Sequence, residues 1–225
     1  MIRVLIADDD ALVRAGIRAI VEASPQITVT AEARDGLDAI EQARRCPLDV
    51  VLMDIEMPGC DGLAATRHLL ALPDPPKVLV LTTFGMDENI TAALHAGASG
   101  FLLKQLNPEQ LIHAVCTVAA GGTVLSPTVT QQLLSRGTSV PRRAAEARAL
   151  VARLSTRERE VFALLGQGMS NAEIAERLYM SASTVKTYVS RALTKLDVDN
   201  RTQAALLAYE LNLHEQSGRR TPEKD

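Results

Sequence analysis

The chain has 225 residues, enough for two modest domains, and 24 Lys and Arg against 27 Asp and Glu leave a formal net charge of −3. No run approaches the ~20 uninterrupted apolar residues of a membrane span. Asp8 arrives too early for a secretory leader, so neither a membrane nor a secreted protein is expected. Cys46, Cys60 and Cys116 fit neither a disulfide nor a zinc spacing and are expected as reduced cytosolic thiols.

The charge is unevenly placed. Through residue 140 there are ten Lys and Arg against sixteen Asp and Glu; beyond it there are fourteen against eleven. An acidic half joined to a mildly basic half hints at a C-terminus that meets nucleic acid. With 3% aromatics and no tryptophan, both cores must be built from Leu, Val, Ile and Ala.

Short aliphatic runs (Val4 to Ala7, Ile27 to Ala31, Val50 to Met53, Val78 to Leu81, Phe101 to Leu103) alternate with amphipathic stretches over the first 120 residues. The first such stretch places Val13, Ile17, Ile20 and Val21 on one helical side. Continuous apolar strands suggest a parallel sheet covered on both faces. Five strand–helix repeats predict a doubly wound α/β domain over residues 1–120, whose ligands bind beyond the carboxyl ends of the strands.

The pattern breaks after Gly121-Gly122. Pro127 opens a predicted short helix through Leu134, and Gly137, Ser139 and Pro141 mark a flexible stretch. Residues 121–153 are read as linker, even though Arg142 to Arg153 is compatible with a helix. A small all-helical domain is expected over 154–213, followed by a flexible tail over 214–225. Ser155 with Glu158 and Ser170 with Glu173 match the capping box. Ser181 and Asn200 are expected to cap a third and a fourth helix, ending at Leu196 and about Leu213.

Polar residues follow the strands at telling places. Asp8, Asp9 and Asp10 follow the first, Asp54 the third, Thr82 the fourth and Lys104 the fifth, so all converge on one sheet edge. Clustered carboxylates repel and call for a cation; oxygen ligands in a small site favour Mg²⁺. A lysine and a hydroxyl beside them would neutralise and hydrogen-bond the oxygens of a phosphoryl group. Transfer to a carboxylate needs little beyond such positioning and charge compensation. Singly, each residue is an ordinary turn, cap or surface group; their coincidence at successive strand ends is what points to a site.

These residues carry a family resemblance. Ile6-Ala7-Asp8-Asp9, Met53-Asp54-Ile55-Glu56-Met57-Pro58-Gly59, Leu81-Thr82-Thr83 and Gly100-Phe101-Leu102-Leu103-Lys104 resemble a response-regulator receiver domain. The resemblance implies that Asp54 is the phosphoacceptor, served by a sensor histidine kinase. Asp8, Asp9, Asp54 and the Glu56 backbone carbonyl would hold Mg²⁺, and Thr82 and Lys104 would bind phosphoryl oxygens. Phe101 matches the aromatic switch residue that turns inward when Thr82 moves. Asp10 stands where relatives often have His, Gln105 where many have Asp or Pro, and Glu56 and Phe84 where side chains tune hydrolysis.

The third C-terminal helix carries Lys186, Arg191 and Lys195 with no acidic residue between Ser181 and Leu196. Val185, Val189, Ala192 and Leu196 form an inner stripe, leaving Thr184, Lys186, Thr187, Ser190, Arg191, Thr194 and Lys195 toward solvent. Such a face suits a DNA major groove, and equally the solvated side of a helical hairpin. The surrounding sequence decides. Leu154 to Val161, Gly168 to Ala175, Ser183 to Thr187, Lys195-Leu196 and Asn200 to Ala204 resemble the LuxR-type helix-turn-helix, with Tyr188 where His is more frequent.

The whole chain thus resembles a response regulator of the NarL/FixJ class, a non-enzyme of the cytoplasm that binds promoter DNA. The resemblance implies Lys186, Thr187 and Ser190 as base readers, and Asn171, Thr184, Arg191 and Lys195 as phosphate contacts. It also implies a homodimer through the last helix on activation, bound to half-sites roughly 10 bp apart. Two rivals stand beside it. One is a regulator controlled by a protein or ligand partner without phosphorylation, which the complete acidic pocket disfavours. The other is a phosphohydrolase with an aspartate nucleophile. That would need an acid/base Asp where Glu56 stands, and a substrate cap this chain lacks.

Overall fold

The computed structural model describes residues 1–82, 87–104, 107–125 and 140–218. Thr83, Phe84, Gln105, the helix expected from Pro127 to Leu134 and the end of the tail lie outside them. The N-terminal half runs β1 (Ile2–Ala7), α1 (Ala11–Val21), β2 (Ile27–Ala33), α2 (Gly36–Arg45), β3 (Val50–Asp54), α3 (Gly62–Leu70), β4 (Lys77–Thr82), α4 (Asp87–Ala96), β5 (Gly100–Leu103), α5 (Pro108–Ala119) and β6 (Val124–Leu125). The sheet is wholly parallel in the order β2-β1-β3-β4-β5-β6.

Both faces of the sheet are covered, which explains the continuous apolar runs. Along β1, Leu5 and Ala7 join the core beneath α2, α3 and α4, while Val4 and Ile6 join the core beneath α1 and α5. The expected stripe Val13, Ile17, Ile20 and Val21 lies in this second core. Side chains fix the helix starts: Asp10, Asp35 and Asp61 accept backbone N–H groups at the first turns of α1, α2 and α3. Asn107 and Gln110 form a capping box on α5, with Pro108 in its first turn.

The five expected strands are joined by a sixth. Val124–Leu125 pairs with Gly100 and Phe101 at the sheet edge. Two residues are too few for periodicity to reveal, and this strand falls inside the stretch read as linker.

The C-terminal half contains α6 (Val140–Ala152), α7 (Thr156–Leu165), α8 (Asn171–Leu178), α9 (Ala182–Leu196) and α10 (Arg201–Gly218). Helix α6 also occupies the stretch read as linker, and its Ala147 is buried with Val161, Leu165, Ile174 and Val185 in the helical core. The capping boxes of Ser155 with Glu158 and of Ser170 with Glu173 both form. Ser181 accepts the Thr184 N–H, and Asn200 Oδ1 accepts the Gln203 N–H.

The two halves touch. Asn200 Nδ2 donates to the Leu94 carbonyl and Thr202 Oγ1 to the Ala98 carbonyl, each at 2.8 Å. The Thr123 N–H donates to the Gly168 carbonyl at 3.0 Å. Gly168 has φ +78, and a Cβ there would lie 2.5 Å from the Thr123 carbonyl oxygen, so only glycine permits this approach. Leu206 of α10 packs against the core beneath α4.

Candidate functional site

Strand register assembles the acidic pocket. Ala7 pairs with Met53, Asp54 with Leu81 and Thr82 with Leu103, so Asp8, Asp54, Thr82 and Lys104 stand together at the carboxyl edge. The order reverses between β1 and β3, the switch point where such sheets bind ligands. Asp8, Asp54 and Thr82 are buried, whereas Asp9 is exposed.

Lys104 Nζ lies 2.8 Å from Asp8 Oδ2 and 2.8 Å from Asp54 Oδ2. Burial pushes the Asp54 carboxyl above its ordinary value, against the pull of Lys104 and of a hydrogen bond from the Glu56 backbone. Burial by itself would lower Lys104, but the carboxylates of Asp54 and Asp8 carry it above the usual lysine range. The pocket is therefore a compact charge cluster with one ammonium shared by two carboxylates.

The donor set suits a hard cation. One carboxylate oxygen each from Asp8, Asp9 and Asp54 falls within 4.8 Å of the others. Although close to Lys104, the buried Asp8 Oδ2 has no donor in hydrogen-bond geometry. All-oxygen ligands with an unsatisfied buried lone pair fit a small divalent ion such as Mg²⁺. Glu56 has an exposed side chain, and Phe101 is fully buried in the core beneath α4.

The helical half presents the expected face. Thr184, Lys186, Thr187, Ser190, Arg191, Thr194 and Lys195 are exposed, and Val185, Val189, Ala192 and Leu196 are buried. Thr184 Oγ1 lies 2.8 Å from Ser181 Oγ at the start of α9. Two more of the expected phosphate contacts have partners within the protein. Lys195 Nζ donates to the buried Glu158 Oε2 at 2.6 Å, and the half-buried Asn171 accepts from Arg201 Nη1 at 3.2 Å.

Sequence reasoning missed Arg201. Its guanidinium joins α10 to the turn before α8, donating to the Met169 carbonyl at 2.6 Å as well as to Asn171. Burial lowers its pKa from the ordinary value, opposed by Glu173. Nothing local distinguishes this arginine from its solvated neighbours. Asn200 and Thr202 were legible as a helix start but not as contacts to the other half.

Residues 4–116 match the family described as response regulator receiver domain, and residues 152–208 match bacterial regulatory proteins of the luxR family. The transcriptional regulatory protein LnrK of Bacillus subtilis is 40% identical over 214 residues, covering 92% of this chain and 96% of its own. The crystal structure of the response regulator ChrA, of a heme-sensing two-component system, is 42% identical with a TM-score of 0.53, covering 94% of this chain and 98% of its own. The RcsB–DNA complex is 27% identical with a TM-score of 0.55, covering 93% of this chain and 98% of its own. Among the described residues, no helix is long and apolar enough to cross a membrane.

Proposed function

Because this chain belongs to the response regulators of transcription that join a receiver domain to a LuxR-type DNA-binding domain, we propose that phosphorylation of Asp54 governs how it engages promoter DNA. The observation that carries this reading is the shared Lys104 ammonium, 2.8 Å from both Asp8 and Asp54 at the sheet's switch point. A carboxylate oxygen of Asp54 attacks the phosphorus of a phosphohistidine on a sensor kinase. The P–N bond breaks as the P–O bond forms, leaving an acyl phosphate on Asp54 and, from a phosphohistidine protonated on its other ring nitrogen, a neutral histidine. Lys104 follows the transferred oxygens, and the Thr82 hydroxyl hydrogen-bonds one of them. Mg²⁺ held by Asp8, Asp9, Asp54 and the Glu56 carbonyl would neutralise charge on the phosphoryl group. Phe101, buried against α4, transmits the Thr82 shift to that helix.

Domain docking supplies the readout. Asn200 and Thr202 at the start of α10 are held by the carbonyls of Leu94 and Ala98, in and just beyond α4. In this reading α10 is the dimerisation helix, and the docked arrangement, which covers Thr202, Ala205 and Leu206, is the resting state. Remodelling of α4 frees α10, two copies pair, and their α9 helices enter successive major grooves. Lys186, Thr187 and Ser190 read base edges; Thr184 and Arg191 hold phosphates. Lys195 and Asn171 act at the DNA only on leaving Glu158 and Arg201. The chain works in the cytoplasm, where promoter DNA is reached, and turns over no external substrate. Residues 1–120, with β6 completing the sheet, serve as receiver, and 154–213, with α6 packed into the same core, as DNA-binding unit.

The test is a titration of fluorescent promoter DNA with and without Mg²⁺ and a small-molecule phosphodonor, comparing the parent with Asp54→Asn. Tighter binding that requires both Asp54 and the donor supports the reading. Equal binding under all conditions removes the phosphorylation switch and favours control by a protein or ligand partner.

A further inference from the structure

Tyr179 ends α8 in the left-handed conformation, with φ 55 and ψ 49. One other non-glycine described residue has positive φ, Asp197 at the end of α9. Aspartate tolerates that region through local hydrogen bonds, whereas a bulky aromatic is an outlier there. The helix end does not need the tyrosine ring. The backbone N–H groups of Tyr179 and Met180 satisfy the last carbonyls of α8, donating to Glu176 O at 3.3 Å and Ala175 O at 2.9 Å, and glycine or asparagine would do the same with less strain.

Nor does packing need it. Tyr179 is 98% exposed, beyond even Met1 at 86%, Leu12 at 80% and Leu37 at 67%. An aromatic ring in water on a strained backbone lowers the stability of the free protein and gains no contact in return. Its position is what gives it a partner. In a helix-turn-helix the first helix crosses the DNA backbone and the second enters the major groove by its N-terminal residues. Tyr179 lies between them, two residues before Ser181, which caps α9. A ring with an apolar body and a hydroxyl tip suits a sugar–phosphate wall, packing on deoxyribose and donating to a phosphate oxygen.

We propose that Tyr179 is a positioning residue that grips the DNA backbone at the mouth of the major groove and sets the depth of α9. This rests on the reading of α9 as the DNA-entering helix. The contact is to the backbone, so a short random-sequence duplex at low salt is the probe. The chain contains no tryptophan, so Tyr179→Trp in the full-length protein introduces a single reporter. Its quenching by acrylamide should fall at least about two-fold when the duplex is saturating, as expected of a ring covered by the wall. Unchanged quenching in the bound state overturns the proposal. Tyr179→Asn keeps a residue at ease in the left-handed region. It should bind the duplex at least about ten-fold more weakly, the value of one hydrogen bond to a charged acceptor, with thermal stability unchanged or raised. Parent-like affinity of Tyr179→Asn overturns the proposal by itself if Arg191→Ala still weakens binding. If Arg191→Ala also has no effect, the reading of α9 falls with it.

Discussion

Replacing Thr202 by valine isolates the docking of the two halves. The side chain is 1% exposed, and its Oγ1 donates to the Ala98 carbonyl at 2.8 Å across the boundary. Valine nearly matches threonine in shape, so what is lost in the docked form is the hydrogen bond, leaving the Ala98 carbonyl buried beside a methyl group. An unsatisfied buried acceptor costs about 1–3 kcal/mol. In the undocked form both groups meet water and the substitution costs little. The docked-to-open equilibrium therefore moves toward the open form by about 5- to 150-fold. If only the open form dimerises on DNA, apparent affinity without phosphodonor rises by that factor until opening is complete. The assay is DNA titration of Thr202→Val and of Asp54→Asn/Thr202→Val, alongside thermal unfolding to verify that both halves remain folded. The double variant should bind tightly with no phosphoryl group. A folded Thr202→Val protein that binds DNA no better than the parent would refute the argument that this contact restrains the chain.

Asn200→Asp keeps the oxygen that caps α10 but turns the donor to Leu94 into a second carboxylate oxygen facing a carbonyl. It should open the halves at least as strongly as Thr202→Val, read as tighter DNA binding without phosphodonor with α-helical circular dichroism retained. Gly62→Ala would set a methyl group against the Asp54 carbonyl, with its carbon only 2.9 Å away. Displacing that backbone should destabilise the α/β half by about 1–3 kcal/mol and abolish phosphoryl uptake together, checked by urea unfolding and phosphate-affinity electrophoresis. The Lys195 ammonium, then the Ser155 backbone N–H, hold Glu158 below the usual carboxylate range. Its folded pKa lies under its unfolded value of about 4.3, so its stabilisation is complete above that pH and is lost as pH falls through the folded value. Glu158→Gln should lower helical-domain stability by about 1–2 kcal/mol at pH 7 and flatten its decline in acid, measured by denaturant melts from neutral to acid pH.

Local signals in this chain were sufficient for most of its elements and for the pocket. Uninterrupted runs such as Val50 to Met53 announce strands covered on both faces, and Ser155 with Glu158 announces a helix start, because strand burial and capping are decided within a few residues. Asp8, Asp54, Thr82 and Lys104 were legible as one site because a parallel sheet brings every strand's carboxyl end to the same edge. Periodicity likewise sorted Val185, Val189, Ala192 and Leu196 inward and Lys186 and Arg191 outward.

What the tertiary structure decided are pairings between residues far apart, for which the sequence carries no local sign. Lys195 looks like another DNA-facing cation until the fold sets it against Glu158, and Asn171 looks free until Arg201 reaches it. Strand β6 is too short to show a period, and α6 is a helix whose Ala147 acquires meaning only from the core that receives it. The contact of Asn200 and Thr202 with Leu94 and Ala98 depends on two separately folded surfaces meeting in one register. Element formation is governed by nearest-neighbour physics and is written in composition and spacing. Docking is governed by the match of distant carbonyls, hydroxyls and glycine-permitted approaches, which exists only once the chain has folded.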